Sequence, residues 1–388
     1  MNKPRVVFPF TEAGLGHIIP MRSIADEFEK LYGDKVEVVR SEFFTETGNK
    51  NLEIFGRRLR EQVEKQNRHT SYGFFTTINM EFWRIHLSTW ATMKFLKLGS
   101  RKPAYRHMDE LNPDLVFSTH WATNYYAKKC KCKPLTVMYC PDTDVNPLFS
   151  YDADIVMVST GTGYKKARKK HPIRFNDENL KQVPFLIRGE AFAVEKDKRV
   201  LRERLGLDPD KFTVVLAEGG YGIGKMEEIC NIILKRDLPV NLVPVCGRNE
   251  ELYKKFLEIE SNGNTLFKPM GLVDNMLEVV ASADVFCGKS GANMCAEVCF
   301  FGLPMIITKY ATTIEQNIGK YYIESVGNAL KIFDPEKVVD KIEDFVKDPS
   351  LIEPYKRAAE SERTNFGATK CAEIIFDLLS ERYPELKN

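Results

Sequence analysis

Short runs of β-branched and other apolar residues recur along this chain with amphipathic stretches between them, and that alternation restricts it to βα units around parallel sheets. Strands are expected at 5–10, 35–40, 114–118, 135–140, 154–158 and 183–187, and in a second series at 213–217, 241–245, 266–270, 284–287, 305–308 and 329–333. Helices at 225–235 and 250–260 separate members of the second series. At ~150 residues per domain, the 388 residues make more than one domain, so two Rossmann-like sheets are more economical than one. The expected organisation is α/β: an N-terminal domain over 1–190, interrupted by a helical insertion at 49–111, and a C-terminal domain over 191–388. The charged stretch 189–198 marks the boundary, ahead of a helix at 199–205, and the last helix is expected to pack back on the N-terminal domain.

Composition excludes several partners. Lys and Arg exceed Asp and Glu by only two charges, so attraction to a polyanion has to come from local patches. Nine scattered cysteines without a C-x-x-C pair indicate a reduced, cytosolic compartment, and six dispersed histidines with neither H-E-x-x-H nor paired Cys/His spacing argue against zinc. No apolar run reaches the ~18 residues of a spanning helix, and the apolar part of the start MNKPRVVFPF is too short for a signal h-region, so neither export by that route nor membrane insertion is expected. The insertion mixes Phe74, Phe75, Phe82, Trp83, Trp90 and Phe95 with Arg57, Arg58, Arg60, Arg84, Lys94, Lys97, Arg101 and Lys102. Its aromatics are either core beneath a solvated charged face, or an interfacial surface facing anionic lipid. A single-strand nucleic-acid groove is set aside, because no RRM, KH or basic-helix signature accompanies the mixture.

Three glycine-bearing turns follow expected strands and precede expected helices, where backbone N–H groups and a helix N-terminus can meet an anion. The first runs from Thr11 to His17 with Gly14 and Gly16; Ile19 replaces the third glycine of a dinucleotide fingerprint. His17 at its mouth is either a general base near pH 7 or a helix cap. The second turn contains Gly219, Gly220, Tyr221 and Gly222. It ends in Gly224-Lys225, but Met226 stands where a Walker motif needs a hydroxyl for magnesium, so its N–H groups suit a diphosphate without metal. The third turn, Gly288 to Asn293, offers Ser290, Gly291 and Ala292, and leads into an apolar helix that carries Glu297. An acidic residue in that setting points to a ribose diol as partner, with a structural salt bridge as the alternative. Asp142-Thr143-Asp144 has the form of a metal-diphosphate D-x-D pair but lies in the half of the chain with the weaker anion loops, so no metal is expected there.

Read in order, these residues resemble the GT-B glycosyltransferases of the group containing the lipid II-forming MurG-type enzymes and the bacterial and plastid diacylglycerol glycosyltransferases. The resemblance is most specific over Gly271 to Met276, Ala283 to Gly291, Ala296-Glu297 and Gly302-Leu303-Pro304. It implies two Rossmann-like domains facing a cleft, with Leu272 and Val273 passing the uracil, the third turn meeting phosphate and Glu297 holding the ribose. Glu315, Gln316 and Asn317 fall where the family contacts the donor sugar. Gly14, Gly16 and His17 match its acceptor-side G-x-G-H turn, and Cys140 to Asp144 is similar to its T-D segment, although Phe149 is the nearest aromatic where the family has His and Trp. The implied activity is inverting, metal-independent transfer from a UDP-sugar to an acceptor hydroxyl, on a membrane lipid such as diacylglycerol. His17 is then the first base and Asp142 the second, with no cofactor beyond the donor and no nucleic acid. The expected setting is the cytoplasm, peripheral on an anionic inner membrane face. Alternatives are a soluble small-molecule acceptor with 49–111 as a lid, an epimerase without acceptor, and a non-catalytic UDP-sugar sensor.

Overall fold

A computed structural model describes residues 3–11, 15–68, 101–143, 145, 153–170, 172–220, 224–260 and 263–387. The chain divides into two compact units, one reaching Gly189 and including Asn365–Asn388, the other holding Glu190–Thr364.

The first unit contains β1 (Arg5–Phe10), α1 (Leu15–Tyr32), β2 (Glu37–Glu42), α2 (Lys50–Arg68), α3 (Arg101–Leu111), β3 (Leu115–Ser118) and α4 (Trp121–Lys129). It continues through β4 (Leu135–Cys140), β5 (Ile155–Val158), α5 (Gly161–Lys170) and β6 (Leu180–Gln182). Its strands form one parallel sheet in the order β2-β1-β3-β4-β5-β6. Because helices cover both faces, the inner strands β1, β3, β4 and β5 are buried nearly throughout rather than at alternate positions, whereas the edge strands β2 and β6 carry polar residues. Val6 and Phe8 pack with Met21, Ile24 and Phe28 of α1, while Val7 and Val116 face Phe43, Phe44, Ala104, Met108 and Tyr126.

The second unit runs α6 (Lys198–Arg204), β7 (Phe212–Ala217), α7 (Met226–Arg236), β8 (Val240–Pro244), α8 (Glu250–Leu257), β9 (Leu266–Phe267) and α9 (Met276–Ala281). Then come β10 (Val285–Lys289), α10 (Ala292–Phe300), β11 (Met305–Lys309), α11 (Thr313–Tyr321), β12 (Ala329–Lys331), α12 (Pro335–Lys347) and α13 (Glu353–Ser361). This sheet is also parallel, ordered β12-β11-β10-β7-β8-β9. The last helix, α14 (Thr369–Arg382), contributes Cys371, Ile375 and Leu379 to the core of the first unit, and Phe376 stacks on Tyr32 of α1 with ring centroids 4.0 Å apart.

One expected strand is absent. The apolar run 183–187 is a buried connection, and the strand lies just before it, at β6. Phe185 bridges to Phe366 of the returning chain and Tyr139 Oη accepts the Leu186 N–H at 3.1 Å, so the run is apolar because it is buried, not because it joins the sheet. Of the basic and aromatic insertion, α2 and α3 are described. Arg57, Arg58, Arg101 and Lys102 are exposed there, whereas Phe74, Phe75, Phe82, Trp83, Arg84, Trp90, Lys94, Phe95 and Lys97 lie outside the described residues. Among the described residues no helix is long and apolar enough to cross a membrane.

Candidate functional site

In each sheet the strand order reverses beside the first strand, between β1 and β3 and between β7 and β10. In open α/β sheets such switch points, at the carboxyl ends of the strands, are where ligands bind. Gly16 and His17 follow β1 at the first of these points, and Gly219, Gly220 and the third glycine turn follow β7 and β10 at the second, whereas Asp142 follows β4 and Leu272 and Val273 follow β9.

In the second unit β7 runs into Glu218-Gly219-Gly220; Tyr221 and Gly222 lie outside the described residues. Gly219 has φ +79°, a backbone conformation that favours glycine, and a Cβ there would stand 2.5 Å from Lys289 Cε and push that side chain aside. Glu218 is buried, accepting from Thr308 Oγ1 at 2.8 Å and from the Met226 N–H at 3.4 Å. Lys225 donates to the Phe333 carbonyl at 2.7 Å, a use unlike that of a Walker lysine.

Across the switch point, β10 delivers Lys289, Ser290 and Gly291 to the start of α10, whose N-cap is Gly291. Ser290 is fully buried and donates to the Glu315 carbonyl at 2.8 Å. Gly291, Ala292, Asn293 and Met294 are half-exposed, so the first-turn N–H groups and the positive end of the α10 dipole are accessible to an anion. Lys289 Nζ adds a cation beside them, 3.0 Å from Glu315 Oε1. Glu315 Oε2 accepts the Ala311 N–H at 2.6 Å, so this carboxylate is held by protein groups, while Gln316 is exposed and Asn317 half-exposed on α11. Glu297 sits farther along α10 and is 1% exposed. Leu272 is 69% exposed, an apolar surface of the kind a planar base covers, and Val273 is half-exposed.

In the first unit, Gly16 and His17 lie in the opening turn of α1; Gly14 is outside the described residues. A Cβ on Gly16 would meet no atom within 4 Å, so the approach there is open. His17 Nδ1 lies 2.7 Å from the Thr119 carbonyl, and Thr119 Oγ1 donates back to the His17 carbonyl at 2.8 Å. A carbonyl only accepts, so Nδ1 carries the proton and the neutral ring has its basic lone pair on Nε2. The His120 ring stands edge-on to His17 with centroids 4.9 Å apart, and its Nδ1 accepts the Ala122 N–H at 3.3 Å as the N-cap of α4. Burial lowers the His17 pKa below its ordinary value, partly opposed by the Thr119 bond. Burial, and next the His17 charge, lower that of His120 well below. Both rings are therefore neutral near pH 7. Asp142 follows β4 and is buried. Since β4 is two places from β1, at ~4.8 Å per strand its strand end is about 10 Å from that of β1. Asp144 lies outside the described residues.

His120 and Lys289 join the candidate residues only through the structure. The signal for His120 was its place directly after a strand and before a helix; for Lys289 it was the basic residue inside the third glycine turn.

Residues 225–373 match the glycosyltransferase family 28 C-terminal domain. The third turn, α10 and α11 lie inside the matched span, and the Gly219-Gly220 turn just precedes it. The chain is 24% identical over 275 residues to the processive diacylglycerol beta-glucosyltransferase of Bacillus pumilus, covering 69% of each chain. Among solved structures it is similar to MurG of Acinetobacter baumannii, with TM-score 0.57, 12% identity and coverage of 97% of this chain and 99% of that one. It is also similar to the MnaA–UDP co-structure of S. aureus, with TM-score 0.61, 14% identity and coverage of 100% and 98%. These likenesses establish the GT-B fold.

Proposed function

We propose that the protein transfers a sugar from a UDP-sugar to a hydroxyl of a membrane lipid such as diacylglycerol, with inversion at the anomeric carbon and without a metal ion. The observation that carries the reading is the match of residues 225–373 to the glycosyltransferase family 28 C-terminal domain, coinciding with an accessible helix N-terminus at the β7/β10 switch point. The UDP of the MnaA co-structure supports a uridine nucleotide, and the Bacillus pumilus relative supports a diacylglycerol acceptor.

The donor half of the reaction is assigned to the second unit. Leu272 and Val273 cover the base, Glu297 turns to accept from the ribose diol, and the N–H groups of Gly219, Gly220 and the first turn of α10 hold the diphosphate. Gln316 and Asn317 reach the sugar, while Glu315 keeps Lys289 in place. The acceptor half belongs to the first unit. His17 Nε2 takes the proton of the lipid hydroxyl as its oxygen bonds to the anomeric carbon, and the bond from that carbon to the phosphate oxygen breaks. The charge developing on UDP is met by fixed dipoles and by Lys289 rather than by a cation from solution. The exposed Arg57, Arg58, Arg101 and Lys102 at the ends of the insertion serve the attraction to anionic lipid.

The test is a panel of radiolabelled UDP-glucose, UDP-galactose and UDP-N-acetylglucosamine with the purified chain and diacylglycerol vesicles. Label entering the lipid phase supports the reading. Label transferred only to soluble acceptors, or to none, rejects the lipid acceptor.

A further inference from the structure

Away from both switch points, the first unit gathers two thiols and a carboxylate that neither C-x-x-C nor H-E-x-x-H spacing announces. Cys130 and Cys132 follow α4, and Asp109 comes from the last turn of α3; one ligand atom from each lies within 4.8 Å of the other two. The two Sγ atoms are 3.1 Å apart. Asp109 Oδ1 accepts the N–H groups of Lys131 at 2.7 Å and Cys132 at 3.0 Å, which fixes the carboxylate against the thiol turn as outer-sphere bonds fix a ligating carboxylate. Two helix carbonyl ends meet here: Cys130 is the C-cap of α4, and Cys132 Sγ lies 3.8 Å from the Met108 carbonyl near the end of α3. Helix C-termini carry partial negative charge, so the place favours a cation. Cys130 is buried, whereas Cys132 and Asp109 are half-buried, leaving an approach for an ion.

We propose that Asp109, Cys130 and Cys132 form a binding site for one zinc ion, separate from the glycosyl-transfer residues. Two thiolates and one carboxylate are a ligand set for a borderline-soft divalent ion, with water in the fourth tetrahedral position. Binding forms two Zn–S bonds and one Zn–O bond and releases the two thiol protons to solvent; no electron is transferred. Zn–S bonds of ~2.3 Å at a tetrahedral angle set the sulfurs about 3.8 Å apart, a small side-chain rotation from 3.1 Å. The three ligand charges exceed that of the ion by one, and exposed Lys129 and Lys131 flank the site to offset it.

The experiment uses the full chain, reduced with a non-chelating phosphine and stripped with a chelator. Zn²⁺ is titrated against a chromophoric chelator, and Co²⁺ is added in parallel to read thiolate-to-metal charge-transfer absorption. One zinc per chain, with those bands, is expected. The paired Cys130→Ser and Cys132→Ser variant should lose the bands and bind at least a hundredfold more weakly. Asp109→Asn, whose amide oxygen can still accept both backbone N–H groups, should weaken binding by roughly ten- to a hundredfold, with an unchanged circular-dichroism melt as the control for folding. Wild type without charge-transfer bands, equal zinc affinity in the paired serine variant, or a Cys130–Cys132 disulfide that consumes both thiols in the protein as isolated would each overturn the proposal.

Discussion

Replacing His17 by Asn separates its bond to the protein from its use as a base. The Asn amide nitrogen occupies nearly the position of Nδ1 and can donate to the Thr119 carbonyl, the bond made at 2.7 Å in the wild type. What disappears is Nε2. Loss of that bond would cost ~1 kcal/mol of stability, so the melting temperature of His17→Asn should stay close to wild type. A positioned general base is worth roughly 10²- to 10⁴-fold in rate, or about 2.7–5.4 kcal/mol in the barrier. Transfer from UDP-sugar to lipid should fall by that factor, while UDP affinity by calorimetry is unchanged, because the residues proposed to hold the donor belong to the other unit. The pH profile adds an independent readout. Burial holds the His17 pKa below its ordinary value, so wild-type kcat/KM should rise with pH to an inflection below ~6.5 and stay level above it. The variant should lack that rising limb. A folded His17→Asn protein within tenfold of wild-type turnover, or one keeping the same acid limb, would refute His17 as the base.

Glu297→Gln, which keeps side-chain volume on a residue that is 1% exposed, should weaken UDP binding by roughly ten- to a hundredfold, since charge-assisted bonds are worth about 1.5–3 kcal/mol; calorimetry with no change would remove Glu297 from the donor site. Turnover should survive EDTA, because no step proposed here passes through a metal; loss on chelation and return with magnesium would reopen the Asp142-Thr143-Asp144 segment. Changing Arg57, Arg58, Arg101 and Lys102 to Ser removes about 1 kcal/mol of lipid attraction each, up to roughly a thousandfold together, and added salt should do the same to wild type in vesicle sedimentation. His120, like His17, has its folded pKa lowered, so the unfolded chain binds more protons in acid: their contribution to stability is complete above ~6.5 and declines as pH falls toward the folded values. Melts from pH 7.5 to 5.5 should show that decline, and His120→Asn, which retains an N-cap for α4, should flatten it.

Local pattern made some of this fold legible and left other parts invisible. Strands such as β1 and β4 stand where their apolar runs place them, because a strand buried on both faces needs apolar residues at every position. The same composition misplaced the strand at 183–187, where the partner of Phe185 is Phe366, far along the chain. Gly219 was readable as a turn glycine, but the Lys289 side chain lying across it depends on β7 and β10 being neighbours in the sheet. The Lys289–Glu315 pair and the His17–His120 contact were hidden for the same reason, each joining residues from separate βα units. Glu297 and Glu315 both read as ligand contacts; only the structure shows one held by Lys289 and the Ala311 N–H.

The central claim is that one catalytic cycle moves one sugar from UDP to lipid, and following both products in a single reaction tests it most directly. With metal-free protein, the active UDP-sugar and diacylglycerol vesicles, UDP appearing in water and sugar appearing in the lipid phase should rise together one for one, with the anomeric configuration inverted in the lipid product. UDP release without sugar in the lipid phase, or a product that retains the donor configuration, would contradict the account.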